Sequence, residues 1–175
     1  MGEGLHKRKA SVPLARHVPL PQGMLRWLVT FLATGGYIGY MPRAPGTAGS
    51  ILGLLAVKFA LFPLWSRAAV ILLLFGALTV IGCAVADSAE RIFAQADSPV
   101  IVLDEMLGMI ATMLLNPLQW EWLAAGFMLF RLFDIIKPWP ASRFDLMRGG
   151  MAVVLDDIVA ACYANGALQI LRRMV

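Results

Sequence analysis

Asp97-Ser-Pro-Val-Ile-Val-Leu-Asp-Glu-Met-Leu-Gly108 is the stretch on which the reading of this chain turns. An adjacent acid pair, Asp104 and Glu105, stands inside an apolar run that continues through Met109-Ile-Ala-Thr-Met-Leu-Leu115. An ionised side chain at a bilayer centre costs about 2.5–3.5 kcal/mol on insertion scales. The pattern recurs in two further apolar stretches. Arg131 and Asp134 lie within residues 122–136, and Asp156 and Asp157 lie within residues 150–161. Facing lipid, these charges would together cost on the order of 15 kcal/mol, as much as the whole stability of a typical domain. They must instead meet one another, a metal ion, water or a charged substrate.

The rest of the composition agrees with apolar surroundings. The 175 residues leave room for one domain, 59% of them are hydrophobic and only 15% charged, and the mean hydropathy is +0.74. A soluble domain is nearer 45–50% apolar and about 25% charged, so the excess points to membrane embedding. The net charge of +4 comes from basic residues gathered at the ends, Lys7, Arg8, Lys9 and Arg16 before the apolar segments and Arg172 and Arg173 after them. No basic stripe with interleaved aromatics occurs, which argues against a nucleic-acid binder. Basic ends beside apolar helices suit anionic lipid headgroups. Cys83 and Cys162 both lie in apolar runs and read as small buried hydrophobes, with no disulfide framework. Neither opens a Cys-x5-Arg phosphate loop, since Ala89 and Leu168 occupy the arginine positions.

Residues 1–23 read as a flexible basic tail that carries both histidines, His6 and His17. Pro13, Pro19 and Pro21 follow its basic stretch where a signal peptide would have an apolar core. Residues 24–175 read as one membrane domain. Its first apolar segment, 24–41, contains Gly35 and Gly36, which weaken a helix; it either lies in the interface or spans. The loop Pro42-Arg-Ala-Pro-Gly-Thr-Ala-Gly-Ser50 then leads into an apolar segment, with Ser50 placed to be its N-cap. A glycine-rich helix start of this kind is either an anion site or an ordinary turn. Residues 68–86 are long enough to span, 87–97 form a polar connection, 99–115 the acid-bearing helix and 120–136 the next. Pro138 and Pro140 stop that helix with Lys137 in its last turn. The final helix runs from about 151 to 171. The expected fold is an all-α, polytopic membrane bundle of about five or six helices with buried carboxylates. Up-and-down connectivity brings the start of the second segment, the approach to Asp104, the turn after Lys137 and the start of the last helix to one end.

The acids Asp104, Glu105, Asp134, Asp156 and Asp157 are hard oxygen donors without a neighbouring histidine or cysteine, a set that suits Mg²⁺ or Mn²⁺ better than zinc. Arg131 and Asp134, three apart, share a helix face, and Lys137 follows one turn on. Salt bridges within a bundle explain the Arg131–Asp134 pair equally well. They explain the adjacent acid pairs less well, because like charges repel unless a cation joins them. No Asp-x-Asp and no histidine in an apolar helix occurs. Either metal-activated water or a carboxylate nucleophile therefore remains available.

Four stretches together resemble one family. They are Pro45-Gly-Thr-Ala-Gly-Ser50; Ile101-Val-Leu-Asp-Glu105 with Gly108; Phe130-Arg-Leu-Phe-Asp-Ile-Ile-Lys-Pro-Trp-Pro140; and Gly149-Gly-Met-Ala-Val-Val-Leu-Asp-Asp-Ile-Val-Ala160. In this order they are similar to the motifs of phosphatidylglycerophosphatase A, from about residue 24 to the C-terminus. The resemblance implies Mg²⁺-dependent removal of the terminal phosphate of phosphatidylglycerophosphate, giving phosphatidylglycerol, in the bacterial inner membrane. It makes Asp97, Asp104, Glu105, Asp134 and Asp157 candidate metal ligands and adds Asp156 to the catalytic candidates. It gives the phosphate to Arg131 and Lys137, and the headgroup site to Thr47 and Ser50. Ala152 departs from an expected glycine, which alters helix packing but removes no chemical group. The rival readings are a small membrane transporter or channel with an ion path lined by acids, and a non-enzymatic protein with a salt-bridged core. The active site falls on the cytoplasmic face if residues 24–41 do not span, and on the opposite face if they do.

Overall fold

The computed structural model describes residues 22–141, 143 and 149–174. The expected tail up to residue 21, with both histidines, and most of the loop after Ala141 lie outside these residues. Among the described residues the fold is all-helical, with six principal helices and no strand. They are α1 (Gly23–Ala33), α2 (Pro45–Leu55), α3 (Ala68–Phe93), α4 (Leu103–Met113), α5 (Trp120–Ile136) and α6 (Gly150–Met174). A wide π-type turn, Ala56–Ala60, prolongs α2.

The organising element is α4. Every residue from Leu107 to Met113 is buried, and α2, α3, α5 and α6 all pack against it. Close approach depends on missing side chains. A Cβ on Gly53 of α2 would lie 2.7 Å from the Met106 carbonyl oxygen, and one on Gly108 would strike the Phe130 ring of α5. The main core therefore forms around Met109, Met113, Leu123, Phe130, Ala161 and Leu168. A second cluster, Val29, Ala33, Val85, Ala89 and Ile101, ties α1 and α3 to the approach of α4, and the Val102 N–H donates to the Ala33 carbonyl at 2.9 Å.

The far end of α4 is fastened by side chains. Asn165 Nδ2 of α6 donates to the carbonyls of Ala111, Thr112 and Leu114 at 3.3, 2.9 and 2.8 Å. These are C-terminal carbonyls of the kind that a helix leaves without an intrahelical donor. Trp65 Nε1 donates to the Asn116 carbonyl at 2.9 Å and Lys58 Nζ to that of Leu118 at 2.7 Å.

Several boundaries differ from those expected. Residues 24–41 are not one segment: α1 stops at Ala33, and Gly35, Gly36 and Tyr37 take left-handed backbone angles. The helix also takes in Gly23, which the sequence assigned to the tail. Pro45, not Ser50, opens α2; Ser50 lies a turn further in and donates from Oγ to the Gly46 carbonyl at 2.9 Å. Proline at a first helical position has a preset φ and no N–H to leave unsatisfied. The polar stretch 87–93 is helical and completes α3, with Arg91 paired to Asp87 one turn away. The acid-bearing helix begins at Leu103, so Asp104 and Glu105 occupy its first turn. Lys137 caps α5 in a left-handed conformation instead of lying in its last turn. Cys83 is half-buried, as a small core residue can be, but Cys162 is exposed; it faces outward from α6, and both thiols are free.

Candidate active site

Four helix ends meet at one end of the bundle, as the connectivity required. The first turn of α4 supplies Asp104 and Glu105, and α6 supplies Asp156 and Asp157. The C-terminal part of α5 carries Arg131 and Asp134, with Lys137 at its cap, and the first turns of α2 carry Gly46, Thr47 and Ser50.

Three carboxylates converge. Asp104, Glu105 and Asp157 each present an oxygen within 4.8 Å of the others. Asp104 and Asp157 are only 8% and 4% exposed. Asp104 Oδ1, Glu105 Oε2 and Asp157 Oδ2 are buried without a hydrogen-bond donor. A buried polar atom left unpaired is uncommon and calls for a physical reason, and three acceptors facing one another repel unless something positive lies between them. Hard oxygen donors with such orphaned lone pairs fit a metal ion, and the donor chemistry favours Mg²⁺ or Mn²⁺ over softer metals.

The cations stand beside this triad, each with a carboxylate of its own. Arg131 Nη1 meets Asp134 Oδ2 at 2.7 Å and donates to Ser50 Oγ at 3.4 Å. Lys137 Nζ meets Asp156 Oδ2 at 2.5 Å. The other oxygen of that carboxylate, Asp156 Oδ1, accepts the N–H of Asp157 at 2.9 Å. Asp156 directly precedes Asp157 on α6, so the lysine pair adjoins the triad, and Glu105 and Arg131 both come close to Gly46 of α2.

Of the remaining candidates, Ser50 is buried and holds the guanidinium, while Thr47 is half-buried in the first turn of α2. Asp97 is exposed in the turn after α3, where its N–H donates to Glu90 Oε1 at 2.6 Å; it is not in the convergent group. Sequence reasoning passed over Gly46. A Cβ there would overlap Glu105 Oε1 and come within 3.6 Å of Arg131 Nη1, so the bare backbone of α2 forms one wall of the site. The signal was available, since Gly46, Gly49 and Gly53 recur at helical spacing and mark a smooth face.

A buried hard-ligand triad flanked by an arginine and a lysine, at the end of an apolar helical bundle, defines a class: an enzyme equipped to handle phosphate groups. Comparison with known proteins names the family. The family model for phosphatidylglycerophosphatase A matches residues 31–172. The phosphatidylglycerophosphatase A of Escherichia coli is 35% identical over 78% of this chain and 79% of its own length. That of Haemophilus influenzae is 36% identical over 83% and 90%. A Bacteroides thetaiotaomicron protein, provisionally named a phosphatidylinositol-3-phosphatase, is 33% identical over 85% and 96%. No solved structure matches the chain. The chain belongs to the phosphatidylglycerophosphatase A family and is a phosphatase.

Proposed function

We propose that this protein hydrolyses phosphatidylglycerophosphate to phosphatidylglycerol and phosphate with Mg²⁺, from within the bacterial inner membrane. The observation that carries the reading is the convergence of three carboxylates, each with a buried oxygen that lacks a hydrogen-bond donor, beside Arg131 and Lys137. Asp104, Glu105 and Asp157 would hold the metal. When bound, Mg²⁺ supplies Lewis-acid polarisation of a phosphoryl oxygen and acidifies a bound water. The protein's own groups do the rest. Arg131 offers a planar fork to two phosphate oxygens, and Lys137 adds a compact charge at the helix end. Ser50 steadies the guanidinium, and Thr47 lines the headgroup side. The N-terminus of α2, the positive end of its dipole, stands against Glu105 and Arg131.

A lipid phosphate monoester requires such a site at the level of the headgroups. Both α3 and α6 are long and apolar enough to cross a bilayer, and α3 exposes Leu72, Leu73, Val80 and Ile81 on its outer face. With 11 residues, α1 extends about 16 Å against a hydrocarbon core of about 30 Å. Lying in the interface, it would leave the basic tail and the site together on the cytoplasmic face under the positive-inside rule.

The decisive assay measures phosphate release from phosphatidylglycerophosphate and from phosphatidylinositol 3-phosphate, each with Mg²⁺ and with a chelator. Release from the first that is abolished by the chelator and restored by Mg²⁺ is expected. Exclusive release from the inositol lipid would move the substrate assignment, and full activity in chelator would remove the metal.

A further inference from the structure

We propose that Asp134 and Asp156 are positioning residues that each orient one cation beside the carboxylate triad, and that neither is a metal ligand. This rests on the phosphatase reading above and assigns roles within its site.

The geometry is clearest at Asp156. Consecutive helical residues point about 100° apart, and on α6 the two acids take different partners. Asp157 faces Asp104 and Glu105 on α4, whereas Asp156 faces α5 and meets Lys137 Nζ at 2.5 Å. Both Asp156 oxygens are engaged, one by the lysine and one by the Asp157 N–H. Each atom of the triad that lacks a donor belongs to Asp104, Glu105 or Asp157. Asp134 repeats the arrangement within α5: one turn from Arg131, it binds Nη1, the nitrogen that also reaches Ser50.

The arrangement answers a physical problem. Arg131 and Lys137 stand beside a group of three convergent carboxylates in surroundings where charges attract strongly. Without partners of their own they would lose a fixed orientation toward the place where a phosphate would arrive. Asp134 and Asp156 supply that orientation through the two ion pairs. Five acids thereby divide into three that stay uncompensated and two that orient cations.

Three measurements on the full-length protein in detergent test this. The first is Mn²⁺ binding by electron paramagnetic resonance. Asp134→Asn and Asp156→Asn should bind Mn²⁺ within about twofold of wild type, the scatter expected of independent sites. Asp157→Asn should lose at least about tenfold, as the loss of a ligand or its support does. If Asp156→Asn or Asp134→Asn weakens Mn²⁺ binding as much as Asp157→Asn, that residue is a ligand and the inference fails for it. The second is a double-mutant cycle on kcat/KM. Asp156→Asn alone should lower it about 10- to 100-fold, as lost orienting partners do. In a Lys137→Ala background the same change should add no more than about twofold. Full additivity would show that Asp156 does not act through Lys137. Asp156→Glu, which keeps the charge, should recover part of the loss; no recovery would count against the ion pair. The third readout is independent of turnover and metal: acylation of the Lys137 amine, followed by mass spectrometry. It should be slow in wild type and several-fold faster in Asp156→Asn. Equal rates would overturn the role of Asp156. Accelerated acylation in a protein that binds no Mn²⁺ would keep that role and reject the metal reading instead.

Discussion

At Gly46 a single hydrogen atom is the side chain, and a catalytic candidate is packed against it. A Cβ at this position overlaps Glu105 Oε1. Gly46→Ala must therefore shift the Glu105 carboxylate, and a displacement of about 1 Å can cost about 100-fold in rate. We expect a loss of that order in kcat with little change in melting temperature. Gly76 of α3 has open space around it, so Gly76→Ala should leave activity intact and be neutral or slightly stabilising. The triad itself makes a less intuitive prediction. If Asp104, Glu105 and Asp157 were halves of salt bridges, removing one would cost about 3–5 kcal/mol. As mutually repelling ligands, they should behave in the opposite way. In chelator, Asp157→Asn should melt at or above the wild-type temperature. In Mg²⁺, wild type alone should gain stability, because the ion binds the folded state, and the amide variant should be inactive. A variant that melts lower in chelator would point to a structural pair. The existence of this charged site was legible in the sequence, because acids in apolar runs are conspicuous. Its division into ligands and orienting acids was not. That division depends on the phase of α6 relative to α5 and on distances between helices, which local spacing does not contain.

At the level of elements, the bundle was legible from apolar runs and proline breaks, and the errors came at helix ends. The stretch 87–93 looked like a connection because it is polar, yet an exposed helical turn with Arg91 paired to Asp87 is polar too. Ser50 looked like an N-cap because of its residue type, while Pro45 carried the stronger signal. The segment 24–41 looked continuous because the turn through Gly35 to Tyr37 is itself apolar. The far end of α4 shows what composition could not: three of its carbonyls accept a further hydrogen bond from Asn165, a residue of another helix. Asn165 lies eight positions after Asp157, about 12 Å along the helix. Asn165→Leu should therefore destabilise the protein by about 0.5–1.5 kcal/mol, the net worth of a hydrogen bond, because the acceptors keep their bonds from the Leu114 N–H and Asn116 Nδ2. It should preserve kcat at temperatures where the variant is folded. Thermal melting alongside steady-state kinetics checks this; a large fall in kcat without loss of stability would mean that the two ends of α4 are coupled.

For the whole molecule, the site's position has a consequence that does not depend on catalysis. All four helix ends that build the site lie at one end of the bundle, while Trp120 and Glu121 open α5 at the other. If α1 does not cross, as proposed above, the positive-inside rule would turn the site end to the cytoplasm. Two exposed positions report the two ends: Gln95, just after α3, and Glu121. In a background with Cys83→Ala and Cys162→Ser, a membrane-impermeant maleimide should label Glu121→Cys in intact spheroplasts and spare Gln95→Cys. Inverted vesicles should give the reverse. Labelling of Gln95→Cys from outside, with Glu121→Cys protected, would turn the site to the periplasmic face. Labelling of both positions from either side would mean that the bundle does not separate two compartments. In that event the exposed apolar face of α3, with Leu73 and Val80 about three-quarters and seven-tenths exposed (75% and 71%), would need a cover other than lipid.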